Sequence, residues 1–190
     1  MGITHAVGDG IAKVVMDNPP VIALTVAAWL ELAGLLRALG ADPGVRAVIL
    51  TAEGRGFNAG VDIKEMQADQ GFGALIGANR GCYAAFAAVY ECEVPVIAAV
   101  HGYCLGGGVG LVGNADIVIA SADATFGLPE VDRGALGAAT HLARLVPQHK
   151  MRAMVYTGAT ATAAELHAFG SVLRVVERDE LRAAAREVAA

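Results

Sequence analysis

The chain is predicted to be an α/β protein, on three observations. Short apolar runs alternate along its 190 residues with longer stretches of helical periodicity. Two of those runs break into glycine-rich turns and then into helix starts. Capping signals also stand at the heads of several helical stretches. The length suits a single domain, residues 1–190, with a substantial core.

Ile11 to Met16 reads as the first strand, with Asp17-Asn-Pro-Pro20 as its turn. Thr25 caps a helix, Val26 to Leu39, which Asp42-Pro43 closes. Ala47 to Thr51 reads as a strand, the loop to Gly60 is glycine-rich, and Val61 to Glu65 is expected to open a helix. Phe72 to Tyr90 reads as a long helix, and Val94 to Val100 as a buried strand. That strand runs into Gly106-Gly107-Gly108 and a second helix start. Thr162-Ala-Ala-Glu165 is a capping box for a short helix that Gly170 ends. Ser171 to Val176 reads as a strand, and Asp179 as the cap of a last helix, Glu180 to Ala189.

Composition narrows the function classes. Apolar residues make up 55% of the chain and the mean hydropathy is +0.52, so a membrane span must be weighed. Val94 to Gly113 has His101 as its one possible charge. Pro95 and the glycine cluster would break such a span, and no membrane partner is expected. A net charge of −5 argues against a nucleic-acid surface. Cys82, Cys92 and Cys104 show no metal or disulfide spacing and suit a reducing cytoplasm. The N-terminus shows no export signal.

Two strand–glycine turn–helix units can aim two backbone N–H groups at one point, and Pro129-Glu130 adds a carboxylate after the second. Donors for an anion and an acid set into an apolar context can stabilise an oxyanion and move a proton.

AVILTAEGRGFNAGVDIKEM and PVIAAVHGYCLGGGVGLVGNADIVIASADATFGLPEV resemble the two signature stretches of the crotonase (enoyl-CoA hydratase/isomerase) superfamily. The resemblance runs from about Asp9 to Ala190. It implies a spiral of ββα units, an acyl-CoA substrate, and trimers or dimers of trimers. Coenzyme A would be part of the substrate, so neither a separate cofactor nor a metal is expected. The oxyanion hole would be the N–H groups of Val61 and Gly107. Ala59, Val61, Asp62, Ile63, Lys64, Gly106 and Gly107 would line the coenzyme A side, with Ile22 on a second loop. Crotonase-like proteins continue into C-terminal helices, so that part is expected to lie beyond this chain.

Glu130 matches the second of two catalytic glutamates in hydratases of the superfamily, whereas Gly110 stands where the first would be. Ordinary hydration is thereby put in doubt, and open volume is expected beside Gly110. Asp132 would face the same side as Glu130 if the segment were extended, making an acid–base pair. The alternative is a solvent-facing partner of Arg133 or Arg144. Lys64 divides in the same way between ligand contact and solvated surface. His101 and Asp116 read as structural, and His141 as a residue able to reach the pocket. EGRGFNAGVDIKEM and FGLPEVDRGALGAATHLARLVPQH are similar, more narrowly, to a carbon–carbon hydrolase subgroup that also carries glycine at the Gly110 position. That subgroup opens a bicyclic keto-acyl-CoA in steroid degradation. A hydratase or isomerase of fatty-acid degradation, or a non-catalytic coenzyme A-binding relative, remains the alternative.

Overall fold

The computed structural model describes residues 2–69, 71–133 and 137–190. In chain order it comprises β1 (Gly2–Gly8), β2 (Ile11–Asp17), β3 (Ala23–Leu24), α1 (Val26–Gly40), β4 (Ala47–Ala52), β5 (Gly60–Val61), α2 (Ile63–Ala68) and α3 (Gly73–Tyr90). Then come β6 (Val96–Val100), β7 (Tyr103–Leu105), α4 (Gly107–Val112), β8 (Ile117–Ser121), β9 (Thr125–Gly127) and a 3₁₀ turn, Pro129–Arg133. The chain ends with α5 (Ala139–Leu142), α6 (Gln148–Thr157), β10 (Thr160–Thr162), α7 (Ala163–Ala168), β11 (Arg174–Val176) and α8 (Leu181–Ala189).

The main sheet has the order β1-β2-β4-β6-β8-β11 and is parallel except for the β1–β2 hairpin. Its central strands are largely apolar because both faces are covered, with Thr51 in β4 and Ser121 in β8 as buried polar exceptions. Val48 and Leu50 join the large core with α1 and α3, while Ala47 and Ile49 face a smaller cluster with α8. Val96, Ala98 and Val100 alternate with Ile97 and Ala99 in the same way.

Each long strand is followed by a short one that leaves the main sheet and then by a helix: β2–β3–α1, β4–β5–α2 and β6–β7–α4. This is the ββα spiral. The short strands make a second layer, in which β3 pairs with β5, Asn58 bridges to Cys104, and β7 pairs with β9. β5 and β7 are thus brought side by side just before they enter α2 and α4.

Several sequence expectations change at this level. Val61 closes a strand rather than opening a helix; the helix begins at Ile63, with Asp62 as its cap. Asp179 does not cap α8, whose N-cap is Glu180 with no side-chain bond to the helix. The strand expected from Ser171 is formed over Arg174–Val176. Among the described residues no helix is long and apolar enough to cross a membrane.

Candidate active site

Glycine makes the central contact possible. Gly60 has φ +87° and Gly106 has φ +55°, conformations that other residues rarely adopt. A Cβ on Gly60 would stand 3.2 Å from the Gly107 nitrogen and 3.6 Å from the Leu105 carbonyl oxygen. The Gly60–Val61 turn and the Gly106–Gly107 turn are therefore packed on each other. The Leu105 N–H donates to the Asn58 carbonyl at 2.8 Å, and Asn58 Oδ1 accepts from the Gly60 N–H at 2.7 Å. Buried Asn58 ties the two turns together.

Glu130 comes to the same place. A Cβ on Gly106 would lie 2.7 Å from its Oε1, and one on Gly137 would lie 2.9 Å from its Cδ. Its Oε2 is buried without a hydrogen-bond partner among the described residues. Burial pushes the Glu130 carboxyl above its ordinary value, against a smaller opposing effect of its own backbone N–H. A half-buried carboxyl with one unbonded oxygen, beside two glycine turns, is suited to exchanging a proton.

Asp132 does not share that face. Residues 129–133 form a 3₁₀ turn rather than an extended segment. At three residues per turn, side chains two apart diverge by about 120°. Asp132 is exposed, and its Oδ2 lies on the side of Gly158, where an added Cβ would be 3.1 Å away. Of its suggested partners, Arg144 donates instead to Asn114 Oδ1 at 2.5 Å and lies 4.9 Å above the Tyr90 ring. The Arg133 side chain lies outside the described residues.

The space beside Gly110 is not open. A Cβ there would overlap the Phe86 ring, with Cε1 and Cε2 both at 2.5 Å. Phe86 comes from α3, and its ring meets Trp29 edge-on at 5.9 Å and His141 at 4.9 Å. His141 is held there by Asn114, whose Nδ2 lies 2.8 Å from the His141 Nδ1 and donates to the Gly110 carbonyl at 2.6 Å. Burial, with the nearby Arg144 charge, lowers the His141 pKa.

The remaining candidates divide between core, backbone and surface. Ile22 is 2% exposed, so its side chain belongs to the core, while its carbonyl accepts from the Ala59 N–H at 2.8 Å. Asp62 caps α2 by accepting from the Lys64 N–H at 2.9 Å, and Ile63 and Lys64 are exposed on that first turn. His101 lies against the Gly54 carbonyl at 3.2 Å, and Asp116 Oδ2 accepts from the Val96 N–H at 2.7 Å, both structural tasks.

Two residues at the site were not found by sequence reasoning, Trp29 and Phe86. Trp29 lies under the second turn: a Cβ on Gly107 would be 2.7 Å from its Cζ2. The one signal for either was the glycine at the opposing position.

The comparisons agree with this fold. The model of the Enoyl-CoA hydratase/isomerase family matches residues 6–190. Two relatives share the name (7aS)-7a-methyl-1,5-dioxo-2,3,5,6,7,7a-hexahydro-1H-indene-carboxyl-CoA hydrolase. The one from Rhodococcus jostii is 63% identical over 100% of this chain and 74% of its own length. The one from Mycobacterium tuberculosis is 67% identical over 95% of this chain and 73% of its own. Among solved structures, a Mycobacterium smegmatis enoyl-CoA hydratase superposes with a TM-score of 0.92 at 28% identity, covering 98% of this chain and 74% of that one. Human enoyl coenzyme A hydratase domain-containing protein 3 gives 0.93 at 29%, covering 100% and 76%. By the family match and the two relatives, the chain belongs to the enoyl-CoA hydratase/isomerase, or crotonase, family.

Proposed function

We propose that this protein hydrolyses a carbon–carbon bond in a bicyclic keto-acyl-CoA, opening a ring in steroid degradation. The observation that carries the reading is Glu130, a half-buried carboxyl against the Gly106–Gly107 turn whose Oε2 has no hydrogen-bond partner among the described residues. The position where a hydratase would have its other glutamate is glycine, and Phe86 fills the space beside it. The names of the relatives at 63% and 67% identity support the substrate class.

The chemistry needs one proton-transfer group and donors for the thioester oxygen. Glu130 takes a proton from water as its oxygen bonds to the ring-ketone carbon, and the carbonyl electron pair moves to the ketone oxygen. The tetrahedral alkoxide then collapses to a carboxylic acid. The bond to the carbon beside the thioester breaks, and its electrons pass into a thioester enolate. The N–H groups of Val61 and Gly107 stabilise the enolate oxygen, each donor of this kind being worth about 2.7–4 kcal/mol of barrier. Glu130 returns its proton to the α-carbon, so one water is consumed and the Glu130 carboxylate is regenerated. Ala59, Asp62, Ile63, Lys64 and Gly106, with the Ile22 backbone, form the coenzyme A side. The assembly is a homotrimer or pair of trimers in the cytoplasm, which light scattering of the purified protein tests.

Mass spectrometry separates this reading from its rivals. The protein is offered a bicyclic β-keto-acyl-CoA, crotonyl-CoA and a 3-enoyl-CoA. Ring opening with gain of one water is expected from the first, with little hydration of the second. Efficient hydration or isomerisation without ring opening would overturn the proposal. Glu130→Gln should lower ring-opening kcat about 100-fold or more with little change in thioester affinity. Asp132→Asn should have a much smaller effect.

A further inference from the structure

Asn114 is buried just past the end of α4 and engages both ends of its amide. Its Nδ2 donates to the Gly110 carbonyl at 2.6 Å and lies 2.8 Å from His141 Nδ1. Its Oδ1 accepts from Arg144 Nη1 at 2.5 Å. These partners leave the amide one orientation. A guanidinium only donates and a carbonyl only accepts, so a flipped amide would set N–H against N–H and oxygen against oxygen. The second Nδ2 hydrogen therefore points at His141 Nδ1, which must present a lone pair. His141 is fixed as the neutral tautomer with its proton on Nε2. Burial and the Arg144 charge both disfavour the imidazolium and act in the same direction.

This contact places α5. The backbone N–H groups of His141 and Leu142 donate to the Ala138 carbonyl at 3.0 and 2.9 Å. The His141 carbonyl is pressed on the end of α4, where a Cβ on Gly113 would be 2.5 Å from its oxygen. Directly ahead of Ala138 is Gly137, and Gly137 is one wall of the Glu130 carboxyl. An added Cβ on Gly137 would lie 3.0 Å from Oε2, the oxygen without a partner among the described residues. One on Gly106 would lie 2.7 Å from Oε1. Glu130 thus sits between two backbone walls, Gly106 at the head of α4 and Gly137 at the head of α5. Asn114 and His141 tie the far end of α4 to α5, and so set the spacing of the walls.

We propose that His141 is a positioning residue for Glu130: by accepting from Asn114 it holds the Gly137 wall against the carboxyl and keeps water from it. His141 acts through α5 and not on substrate. The proposal rests on the reading of Glu130 as the proton-transfer group. Burial and its own backbone N–H are what move the Glu130 pKa, and no charged neighbour contributes among the described residues. Facing His141 are Asn114 and the Gly113 backbone from the end of α4, Phe86 from α3, and Arg144 as the one charge among the described residues. Protonation would turn Nδ1 into a donor that meets the Asn114 donor, beside Arg144. The wall should therefore loosen as pH falls through the His141 value, leaving Glu130 wetter and more acidic.

Asparagine and leucine differ little in shape, and an asparagine Oδ1 stands where a histidine Nδ1 does. His141→Asn thus keeps an acceptor for Asn114, and His141→Leu removes it, both without the ring. The readout is the carboxyl-carbon NMR titration of Glu130, assigned by its loss in Glu130→Gln. In the parent its midpoint should lie above the ordinary 4.5. His141→Leu should move it down towards that value, and His141→Asn should leave it near the parent's. Equal shifts in the two variants, no shift in either, or a larger shift in His141→Asn would overturn the proposal. Ring-opening kcat should be lower in His141→Leu than in His141→Asn, with butyryl-CoA affinity little changed in both. Should His141→Leu not fold, ring-nitrogen NMR of the parent decides. An unprotonated Nδ1 and a protonated Nε2 near neutral pH are expected; an imidazolium or the Nδ1–H tautomer would overturn the assignment. If the parent opens no ring, the reaction assignment fails, and the Glu130 titration still decides whether His141 holds the wall.

Discussion

Glu130 is costly to ionise where it sits, which makes its titration informative about both stability and catalysis. Burial lifts its folded pKa above the ordinary 4.5, so folding favours the protonated form. Stability from this group is present at low pH and is lost as pH rises through the folded value. Glutamine has no charge to desolvate. Glu130→Gln should therefore raise the thermal midpoint over the parent near neutral pH, and the two should converge at about pH 4 and below. The acid limb of kcat/KM in the parent should lie above the usual glutamate value, because the carboxylate form must accept the proton of water. Gly110 poses a different contest. Glycine to alanine within a helix ordinarily gains about 0.5–1 kcal/mol, but an added Cβ overlaps Phe86. Overpacking costs about 1–3 kcal/mol, so Gly110→Ala should destabilise in urea titration, and Phe86→Leu in the same chain should recover part of the loss. Gly110→Glu alone should gain no crotonyl-CoA hydration, since Phe86 leaves its carboxylate no seat.

Helix ends provide the test at the scale of elements. Thr25 accepts from the Ala28 N–H at 3.2 Å, and Glu65, distant in sequence, accepts from the Val26 N–H at 2.8 Å. Thr162 and Glu165 complete a reciprocal capping box at α7. Thr25→Ala and Thr162→Ala should each cost about 1 kcal/mol in chemical denaturation. Asp179→Ala should cost little, because α8 takes no side-chain cap. These pairs also mark how far the sequence could be read. Helical spacing and Thr25 placed α1, and an unbroken apolar run placed β6, because both signals are local. β3, β5 and β7 span two or three residues each, too few to display a period. β1 was missed because it is a largely exposed edge strand without alternation. At the site, Gly106, Gly107 and Glu130 could be read from contiguous motif residues. Phe86 and Trp29 could not, since their roles depend on α1 and α3 packing against α4. The supposed partnership of Glu130 and Asp132 failed on one local property, the 3₁₀ winding of residues 129–133.

Across the whole molecule, the two faces of the main sheet carry different duties. One face, against α1 and α3, backs the glycine turns and Glu130. On the other, α8 lays Leu181, Ala184 and Ala185 over Ile11, Ile49, Ile97 and Ile119. Ion pairs rim that contact: Arg182 with Glu53 at 2.6 Å, Arg186 with Asp9 at 2.5 Å, and Arg178 with Asp123 at 3.1 Å. The side chains of these pairs are about half exposed or more, so screening leaves each pair worth roughly 0–1 kcal/mol. Leu181 is 2% exposed, and truncating a buried leucine costs about 2–5 kcal/mol through lost transfer energy and the cavity left behind. Leu181→Ala should accordingly lower the denaturation midpoint strongly. Arg182→Gln and Arg186→Gln should each move it little, and by less still in high salt. Because α8 lies across the sheet from the glycine turns, ring-opening kcat per folded molecule should be unchanged in Leu181→Ala when assayed well below its melting temperature. A loss of kcat in a fully folded Leu181→Ala sample would mean that the two faces are coupled through the strands, against the division of duties drawn here.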